Sequence, residues 1–195
     1  MRVTGGKGRG RRLIVPSGSR VRPTSAKVKQ ALFNIIGERV IGASFLDLFS
    51  GAGGIGIEAL SRGADRVVFV DSSRESLAVI RMNIEQTGFA SRARTALSAA
   101  ETFLRKPSES YNIILLDPPY TDDIQPLLEL ISYSGLVKPG GIVVAEHFKK
   151  QKSPERAGSL ELYREARYGD TVLAFYARND SPLARTETRI DAADS

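Results

Sequence analysis

The sequence has no cysteine, no tryptophan and a single histidine among its 195 residues. Without cysteine there is no disulfide framework and no thiolate zinc site. His147 cannot build a metal site by itself, so we expect no metal cofactor. The chain also lacks an 18-residue apolar run and a signal peptide, so we expect a cytoplasmic protein that does not cross a membrane.

Acidic residues are missing from the first 37 positions, which hold nine Lys or Arg. The rest of the chain carries 19 basic and 22 acidic residues, so the net charge of +6 comes from the N-terminal segment. This asymmetry points to a polyanionic partner. The glycine-rich stretch 1–22 has too little apolar content for its own core, and its pieces 2–4 and 12–15 are predicted to pair as a β-hairpin. A flexible basic tail is the alternative.

A helix is predicted to begin after Pro23, with Thr24 or Ser25 as its N-cap. Apolar residues at helical spacing mark its buried face: Val28, Ala31, Leu32, Ile35 and Ile36. Lys27, Lys29 and Gln30 are predicted to fall on the other side, where they could meet phosphate or form a solvated face.

Strands and helices alternate from Ser44 onward in five βα-type units. The pattern predicts an α/β fold with a doubly wound, mostly parallel sheet and helices on both faces. Two later strands, separated by Gly169-Asp170, are predicted to form an antiparallel hairpin at one sheet edge. We expect a basic extension at 1–22, one domain at 23–180 and a disordered tail at 181–195.

The stretch YNIILLDPPY, Tyr111 to Tyr120, reads as a buried strand followed by a stiff turn. Pro118 and Pro119 end the strand at Asp117 because proline has no N–H and a fixed φ. The turn offers the Asp117 carboxylate, the Pro118 carbonyl and the Tyr120 ring. These groups suit a planar base whose exocyclic amine donates to two acceptors while the base stacks on the ring. A simple turn is the alternative for so short a motif.

A glycine-rich loop, Gly51-Ala-Gly53-Gly-Ile-Gly56, joins the first strand to the next helix, and Asp71 lies 20 residues beyond Gly51. Spacing of this kind predicts a loop that binds a nucleotide cofactor, with the Asp71 carboxylate accepting hydrogen bonds from the ribose hydroxyls. A nicotinamide cofactor therefore stays possible. Asp47 beside the loop suits a cationic amino-acid portion better than a pyrophosphate, which favours S-adenosylmethionine. In a doubly wound sheet, this loop and Asp117 are expected to meet at the carboxyl ends of the strands.

These stretches together resemble the bacterial 16S rRNA guanine-N2 methyltransferases of the RsmD type, within the wider seven-stranded, Rossmann-like class that uses S-adenosylmethionine. DPPY alone also occurs in DNA amino-methyltransferases, but we expect no target-recognition domain here, which makes a DNA methyltransferase the weaker alternative. The resemblance covers about residues 1 to 176 and rests on Gly10-Arg11-Arg12-Leu13, Arg22-Pro23-Thr24, Leu32-Phe33-Asn34, LDLFSGAGGIGIEALSRGA, DPPY and Tyr168-Gly169-Asp170-Thr171.

The resemblance implies methyl transfer from S-adenosylmethionine to the N2 amine of a guanine in 16S rRNA, in the small ribosomal subunit or an assembly intermediate. We expect a monomer. The implied base-binding and catalytic residues are Asp117, Pro118, Pro119 and Tyr120. The implied cofactor residues are Asp47, Gly51, Gly53, Asp71, Ser72, Ser98 and Ala99. The predicted RNA contacts are Lys7, Arg9, Arg11, Arg12, Arg22 and Thr24.

One position departs from the family pattern. Ser98 stands where many relatives carry Asp or Asn, which would accept the adenine amine. A hydroxyl can also accept that bond, but it is neutral and shorter. A nonenzymatic rRNA-binding assembly factor would share the basic segment without needing Asp117 or Tyr120, and it is the alternative outside enzymes.

Overall fold

The structure, a computed structural model, describes residues 1–15, 25–106, 108–119, 122–185 and 189–192. The backbone packs into two compact units, Met1–Ala100 and Glu101–Ser195. The predicted domain boundaries at 22 and 180 stay a prediction. The basic extension packs inside the first unit because its described residues bond to the helices that follow it.

The first unit combines three α-helices with a parallel sheet. Its elements are α1 (Ala26–Ile36), β1 (Ser44–Leu48), α2 (Gly54–Ser61), β2 (Arg66–Asp71), α3 (Arg74–Thr87) and β3 (Ala93–Leu97). Short 3-10 turns cover Gly37–Val40 and Ala90–Arg92. Ser25 caps α1 by accepting a hydrogen bond from the Val28 N–H, as the sequence predicts. The strand order is β3-β2-β1, all parallel.

The N-terminal extension forms less of a hairpin than predicted. Arg2 and Arg12 make a single antiparallel bridge, and the N–H groups of Val3 and Leu13 donate across it to Arg11 and Met1 carbonyls. Val3 and Leu13 are buried. The pairing is short because the chain between the strands turns at once to bond to Ser61.

The second unit contains a mixed sheet. Its helices are α4 (Ala100–Leu104, which starts at the boundary) and α5 (Gln125–Ser134), and its strands are β4 (Tyr111–Leu116), β5 (Val137–Phe148), β6 (Arg156–Ala157), β7 (Leu160–Tyr168), β8 (Thr171–Arg178) and β9 (Arg189–Ala192). The order is β4-β5-β8-β7-β6, and β9 pairs with β7. β4 and β5 are parallel, whereas β8 is antiparallel to β5 and β7.

The predicted C-terminal hairpin is confirmed as β7 and β8, which turn at Gly169 with a φ of 62°. β5 begins earlier than the sequence suggests, because the strand continues through an irregularity at Gly140, whose φ is 72°. The segment predicted to be disordered contains a 3-10 turn, Pro182–Arg185, and the strand β9. Seven strands of the described chain have five or more residues; β6 and β9 are shorter additions. None of the helices described here is long and apolar enough to span a bilayer.

Candidate active site

The glycine loop, residues 49–53, connects β1 to α2 by a tight turn. Gly51 and Gly53 have φ angles of 55° and 76°, in the left-handed region that glycine adopts without cost. Phe49 shares this region at φ 63°, which costs a residue with a side chain roughly 1–2 kcal/mol. Strain of this kind concentrates at functional loops. The Gly53 N–H donates to the Ser50 carbonyl at 2.7 Å and closes the turn.

Gly56, the last glycine of the motif, is required by packing. A Cβ at this position would lie 2.3 Å from the Phe69 ring and 2.9 Å from Asp47 Oδ2. The absence of a side chain therefore lets α2 approach β1 and β2 closely. The same approach brings the Gly56 N–H within 3.0 Å of Asp47 Oδ2, to which it donates.

Asp47 is buried beneath the glycine loop, with 2% of its surface exposed. One carboxylate oxygen accepts from Gly56, and the Asp47 carbonyl accepts from the Ser50 hydroxyl at 2.6 Å. These bonds give Asp47 a role in holding the loop. Its predicted contact with the amino-acid portion of a cofactor stays a prediction.

Asp71 ends β2 and bonds to the glycine loop through its side chain. Oδ2 accepts from the Gly51 N–H and Oδ1 from the Ser73 N–H, each at 2.8 Å. The side chain is partly exposed. Each carboxylate oxygen can accept a second hydrogen bond. Asp71 can therefore hold the loop and still accept from two hydroxyl groups, as a ribose would require.

Ser98 and Ala99 follow β3 and lie beside Asp71. Asp71 is in register with Leu97, and the Ser98 N–H donates to the Asp71 carbonyl at 3.1 Å. The Ser98 hydroxyl donates to the Ala99 carbonyl at 2.9 Å, so its lone pairs are left to accept. Ser72 and Ala99 are exposed. The structure thus brings Gly51, Asp71 and Ser98 together, as the sequence predicts.

Asn83 is a residue of this site that sequence reasoning missed. Its side chain is fully buried on α3 and donates to the Ala52 carbonyl at 3.0 Å. It also donates to the Ile14 carbonyl at 2.9 Å and accepts from the Ile14 N–H at 2.8 Å. Asn83 therefore joins the glycine loop to the N-terminal extension. The available signal is a polar residue on the buried face of α3, among Leu77, Ile80 and Ile84.

The N-terminal arm, residues 1–15, is anchored rather than flexible. Thr4 donates to both Glu58 carboxylate oxygens at 2.8 Å, through its N–H and its hydroxyl. The Gly8 N–H donates to Ser61 Oγ at 2.8 Å. A Cβ at Gly6 would lie 1.9 Å from the Ser61 carbonyl oxygen, so glycine is needed for this close approach.

The predicted RNA contacts within this arm lie on its exposed side: Lys7, Arg9, Arg11 and Arg12. Arg11 also donates to the Gln86 carbonyl at 3.3 Å, and Gln86 donates to the Arg12 carbonyl at 2.9 Å. The structure therefore presents these cations on a fixed backbone. Two further predicted contacts, Arg22 and Thr24, lie outside the described residues.

The prediction that Lys29 faces solvent is wrong. Lys29 is 1% exposed, lies 3.2 Å from the Glu58 carboxylate and donates to the Arg2 carbonyl at 2.6 Å. Burial lowers the pKa of Lys29, although Glu58 opposes this change. Burial also disfavours ionised Glu58, but bonds from Thr4 and Arg62 and the Lys29 charge outweigh it, so the pKa of Glu58 is lowered. The residues that bury Lys29 come from the arm and α2, which helical periodicity does not reveal.

Asp117, Pro118 and Pro119 follow β4 directly in the second unit. Asp117 is partly exposed, Pro118 is buried and Pro119 is exposed. The Asp122 N–H donates to the Pro119 carbonyl at 2.9 Å. Strand β4 thus ends where the sequence predicts. Tyr120 lies outside the described residues, and its stacking role stays a prediction.

A family model described as "Conserved hypothetical protein 95" matches residues 1–177. The Bacillus subtilis protein named "Putative rRNA methyltransferase YlbH" is 37% identical over 182 residues, covering 91% of this chain and 99% of the relative. "Ribosomal RNA small subunit methyltransferase D" of Escherichia coli K12 is 30% identical over 179 residues, covering 91% and 90%.

Comparison with solved structures also identifies a methyltransferase as a similar protein. The structure described as "Putative methyltransferase yhhF from Escherichia coli" has a TM-score of 0.82 at 31% identity and covers 91% of this chain and 97% of its own. The predicted fold, a mostly parallel α/β sheet of the class I methyltransferases, is thereby confirmed. The chain belongs to the Conserved hypothetical protein 95 family, the RsmD-type methyltransferases.

Proposed function

We propose that this protein transfers a methyl group from S-adenosylmethionine to the exocyclic N2 amine of a guanine in 16S rRNA. The observation that carries the proposal is the Asp71 carboxylate, bonded at both oxygens to backbone N–H groups beside Ser98. The relative from Escherichia coli is named for the small ribosomal subunit, which supports the choice of rRNA.

The residues of the first unit fit S-adenosylmethionine. Asp71 would accept from the two ribose hydroxyls, and the Ser98 hydroxyl would accept from the adenine amine. Ser72 and Ala99 would border the adenine, and Asp47 with the glycine loop, including Gly51 and Gly53, would adjoin the amino-acid portion. When bound, S-adenosylmethionine supplies an electrophilic methyl group on a sulfonium.

Asp117 and Pro118 would act on the guanine amine. Its lone pair is delocalised into the ring, which makes the nitrogen a poor nucleophile. Acceptance of its two N–H bonds by Asp117 Oδ and the Pro118 carbonyl would favour a pyramidal, more nucleophilic nitrogen. As the N–C bond forms, the S–C bond of the sulfonium would break and leave a neutral thioether. The amine would then become acidic, and its proton would leave to Asp117 or to water. Catalysis then depends on position and charge more than on a strong base.

The base has to leave its stack before it can reach Asp117. Unstacking costs a few kcal/mol, which contacts with the neighbouring RNA must offset. The exposed cations of the N-terminal arm, Lys7, Arg9, Arg11 and Arg12, supply a set of phosphate contacts in this proposal. Their anchored backbone means that little ordering entropy is lost on binding. We propose a monomer that acts in the cytoplasm on the subunit or its precursor; light scattering would test the mass.

Methyl transfer can be tested on small subunits from a strain that lacks this gene. Purified protein and S-adenosylmethionine labelled in the methyl group should place label in 16S rRNA in a single turnover. Calorimetry with S-adenosylmethionine and with NAD on the same preparation separates the methyltransferase from an oxidoreductase. Label absent from rRNA would favour an assembly factor, and binding of NAD alone would favour the oxidoreductase.

A further inference from the structure

The lysine loop, residues 149–155, connects β5 to β6 and holds three lysines within four positions: Lys149, Lys150 and Lys152. All three side chains are exposed. β4 and β5 are parallel, and Leu116 is in register with Ala145. The lysine loop and Asp117 therefore both follow the carboxyl ends of neighbouring parallel strands, on the same side of the sheet of the second unit.

A hydrogen bond connects the lysine loop to Asp122, which follows the Asp117-Pro118-Pro119 stretch in the chain. Gln151 Nε2 donates to the Asp122 carbonyl at 3.1 Å, and the Asp122 N–H donates to the Pro119 carbonyl at 2.9 Å. These two hydrogen bonds thus connect the lysine loop, through Asp122, to the motif that would hold the target base. A nucleotide bound at Asp117 would have its flanking phosphates near this loop.

Buried side chains anchor the lysine loop at Ser153. The Ser153 hydroxyl donates to Glu165 Oε2 at 2.5 Å, and His147 Nε2 lies 2.9 Å from the same hydroxyl. Glu165 also accepts from Arg167 at 2.8 Å. Burial disfavours the charge on Glu165, but the Ser153 and Arg167 donors outweigh it and lower its pKa. Burial lowers the pKa of His147. The lysine loop is therefore anchored to buried residues of β5 and β7, while its three lysine side chains are exposed to solvent.

The cations of the loop differ in their partners. Lys149 Nζ lies 2.8 Å from Asp170 Oδ1, in an exposed ion pair. Lys150 Nζ lies 5.8 Å from the centre of the Phe148 ring. Neither Lys150 nor Lys152 has an ion-pair partner within the described part of the chain. The loop borders an open groove of about 880 Å³, in which Glu161 and Glu165 pair with Arg156 and Arg167. Among the residues that line the groove, the acid left after these pairs are counted is Glu155, so the two positive charges of Lys150 and Lys152 exceed it by one.

We propose that the lysine loop binds the RNA phosphates that flank the target nucleotide, through Lys150 and Lys152. This inference rests on the proposed function, because it takes Asp117 as the base-binding residue. A Lys ammonium is a compact charge that suits a phosphate without demanding one geometry. Contacts on both sides of an unstacked base hold its backbone, and they fix position without reading sequence.

The test compares two double variants of the whole protein. Lys150→Ala with Lys152→Ala removes two charges from the loop, and Arg105→Ala with Lys106→Ala removes two exposed charges after α4. Binding of naked 16S rRNA is measured over a series of KCl concentrations. The loop variant should lower the slope of log K against log salt by about 0.7 to 0.9 per lysine. The control variant and the Lys150→Arg, Lys152→Arg variant should keep the parent slope.

The proposal is overturned if the loop variant keeps the parent affinity and slope, or if the control variant loses as much. Thermal melting and calorimetry with S-adenosylmethionine should give parent values for the loop variant, which excludes misfolding. If the parent binds naked rRNA but does not methylate small subunits from the deletion strain, the proposed function fails, and the salt slopes still decide whether the lysine loop binds RNA. If the parent methylates small subunits but binds no naked rRNA, the lysine-loop proposal fails and the proposed function stands.

Discussion

The two compact units hold the carboxylates proposed for cofactor binding and for catalysis in different ways. In the first unit, Asp71 is bonded at both oxygens by backbone groups of Gly51 and Ser73, and Gly51 is 20 residues away in the chain. In the second, Asp117 is placed by the end of β4 and by the two prolines that follow it. Hydrogen bonds from separate parts of the chain thus hold Asp71, whereas the strand and the prolines that adjoin Asp117 in sequence set its position. Substitutions in the first unit should therefore change binding and stability, and substitution of Asp117 should change chemistry.

The largest effect is expected at Asp117. The Asp117→Ala variant should lower the single-turnover methyl-transfer rate at least about a hundredfold, because it removes a positioned acceptor of the reacting amine. Affinity for S-adenosylmethionine should change little. Asp122→Asn, which alters a neighbouring exposed carboxylate, is the control and should keep the parent rate. Near-normal turnover by Asp117→Ala would remove this residue from the chemistry.

The next effect concerns the anchor of the N-terminal arm. Glu58→Gln should lower the free energy of unfolding at neutral pH by about 1.5 to 3 kcal/mol, because charged hydrogen bonds to Thr4 and Arg62 are weakened. The folded-state pKa of Glu58 is lowered, so its contribution is present above the unfolded value of about 4.3 and is lost as the pH falls through the folded value.

Denaturant unfolding of both proteins at a series of pH values checks this dependence. The difference between parent and Glu58→Gln should be largest near neutral pH and should shrink in acid below about pH 4. A difference that stays constant from neutral to acid pH would mean that ionisation of Glu58 does not hold the arm.

Asp71 should govern cofactor affinity. Asp71→Ala should weaken S-adenosylmethionine binding by about 1 to 3 kcal/mol in calorimetry, because ribose hydroxyls lose a charged acceptor and the Gly51 N–H loses its partner. At saturating cofactor the methyl-transfer rate should fall far less than in Asp117→Ala. Asp65→Ala, at the other end of β2, is the control. Unchanged affinity in a folded Asp71→Ala protein would refute the assignment.

The smallest effect per residue is expected in the arm. Arg9→Ala, Arg11→Ala and Arg12→Ala together should weaken rRNA binding and lower the salt slope by about 0.7 to 0.9 per lost contact, with cofactor affinity unchanged. A control variant loses three exposed arginines elsewhere in the first unit, Arg39, Arg81 and Arg94. Equal losses in both variants would show that only net charge matters and that the arm is no specific surface.

The sequence predicts those parts of the fold and the site that depend on motif spacing and on the conformational preferences of single residues. The spacing from Gly51 to Asp71 predicts that the two residues lie close together, because parallel strands have their carboxyl ends on the same side of the sheet. Gly169 predicts the turn between β7 and β8, because glycine adopts positive φ. Lys29 was placed wrongly because its partner, Glu58, is on another helix and its second acceptor is in the arm. The lysine loop lies in a part of the chain with nearly balanced charge, so composition does not reveal it. The structure does, because Asp170 pairs with Lys149 while Glu161 and Glu165 pair with Arg156 and Arg167.

The identity of the methylated nucleoside tests the account most directly. Small subunits from the deletion strain are methylated in a single turnover with labelled S-adenosylmethionine, and the rRNA is digested to nucleosides and separated. The account predicts that the label elutes as N2-methylguanosine from 16S rRNA and that Asp117→Ala abolishes this peak. Label in another nucleoside of the 16S rRNA would contradict the role given to Asp117 and Pro118 as acceptors of a guanine amine.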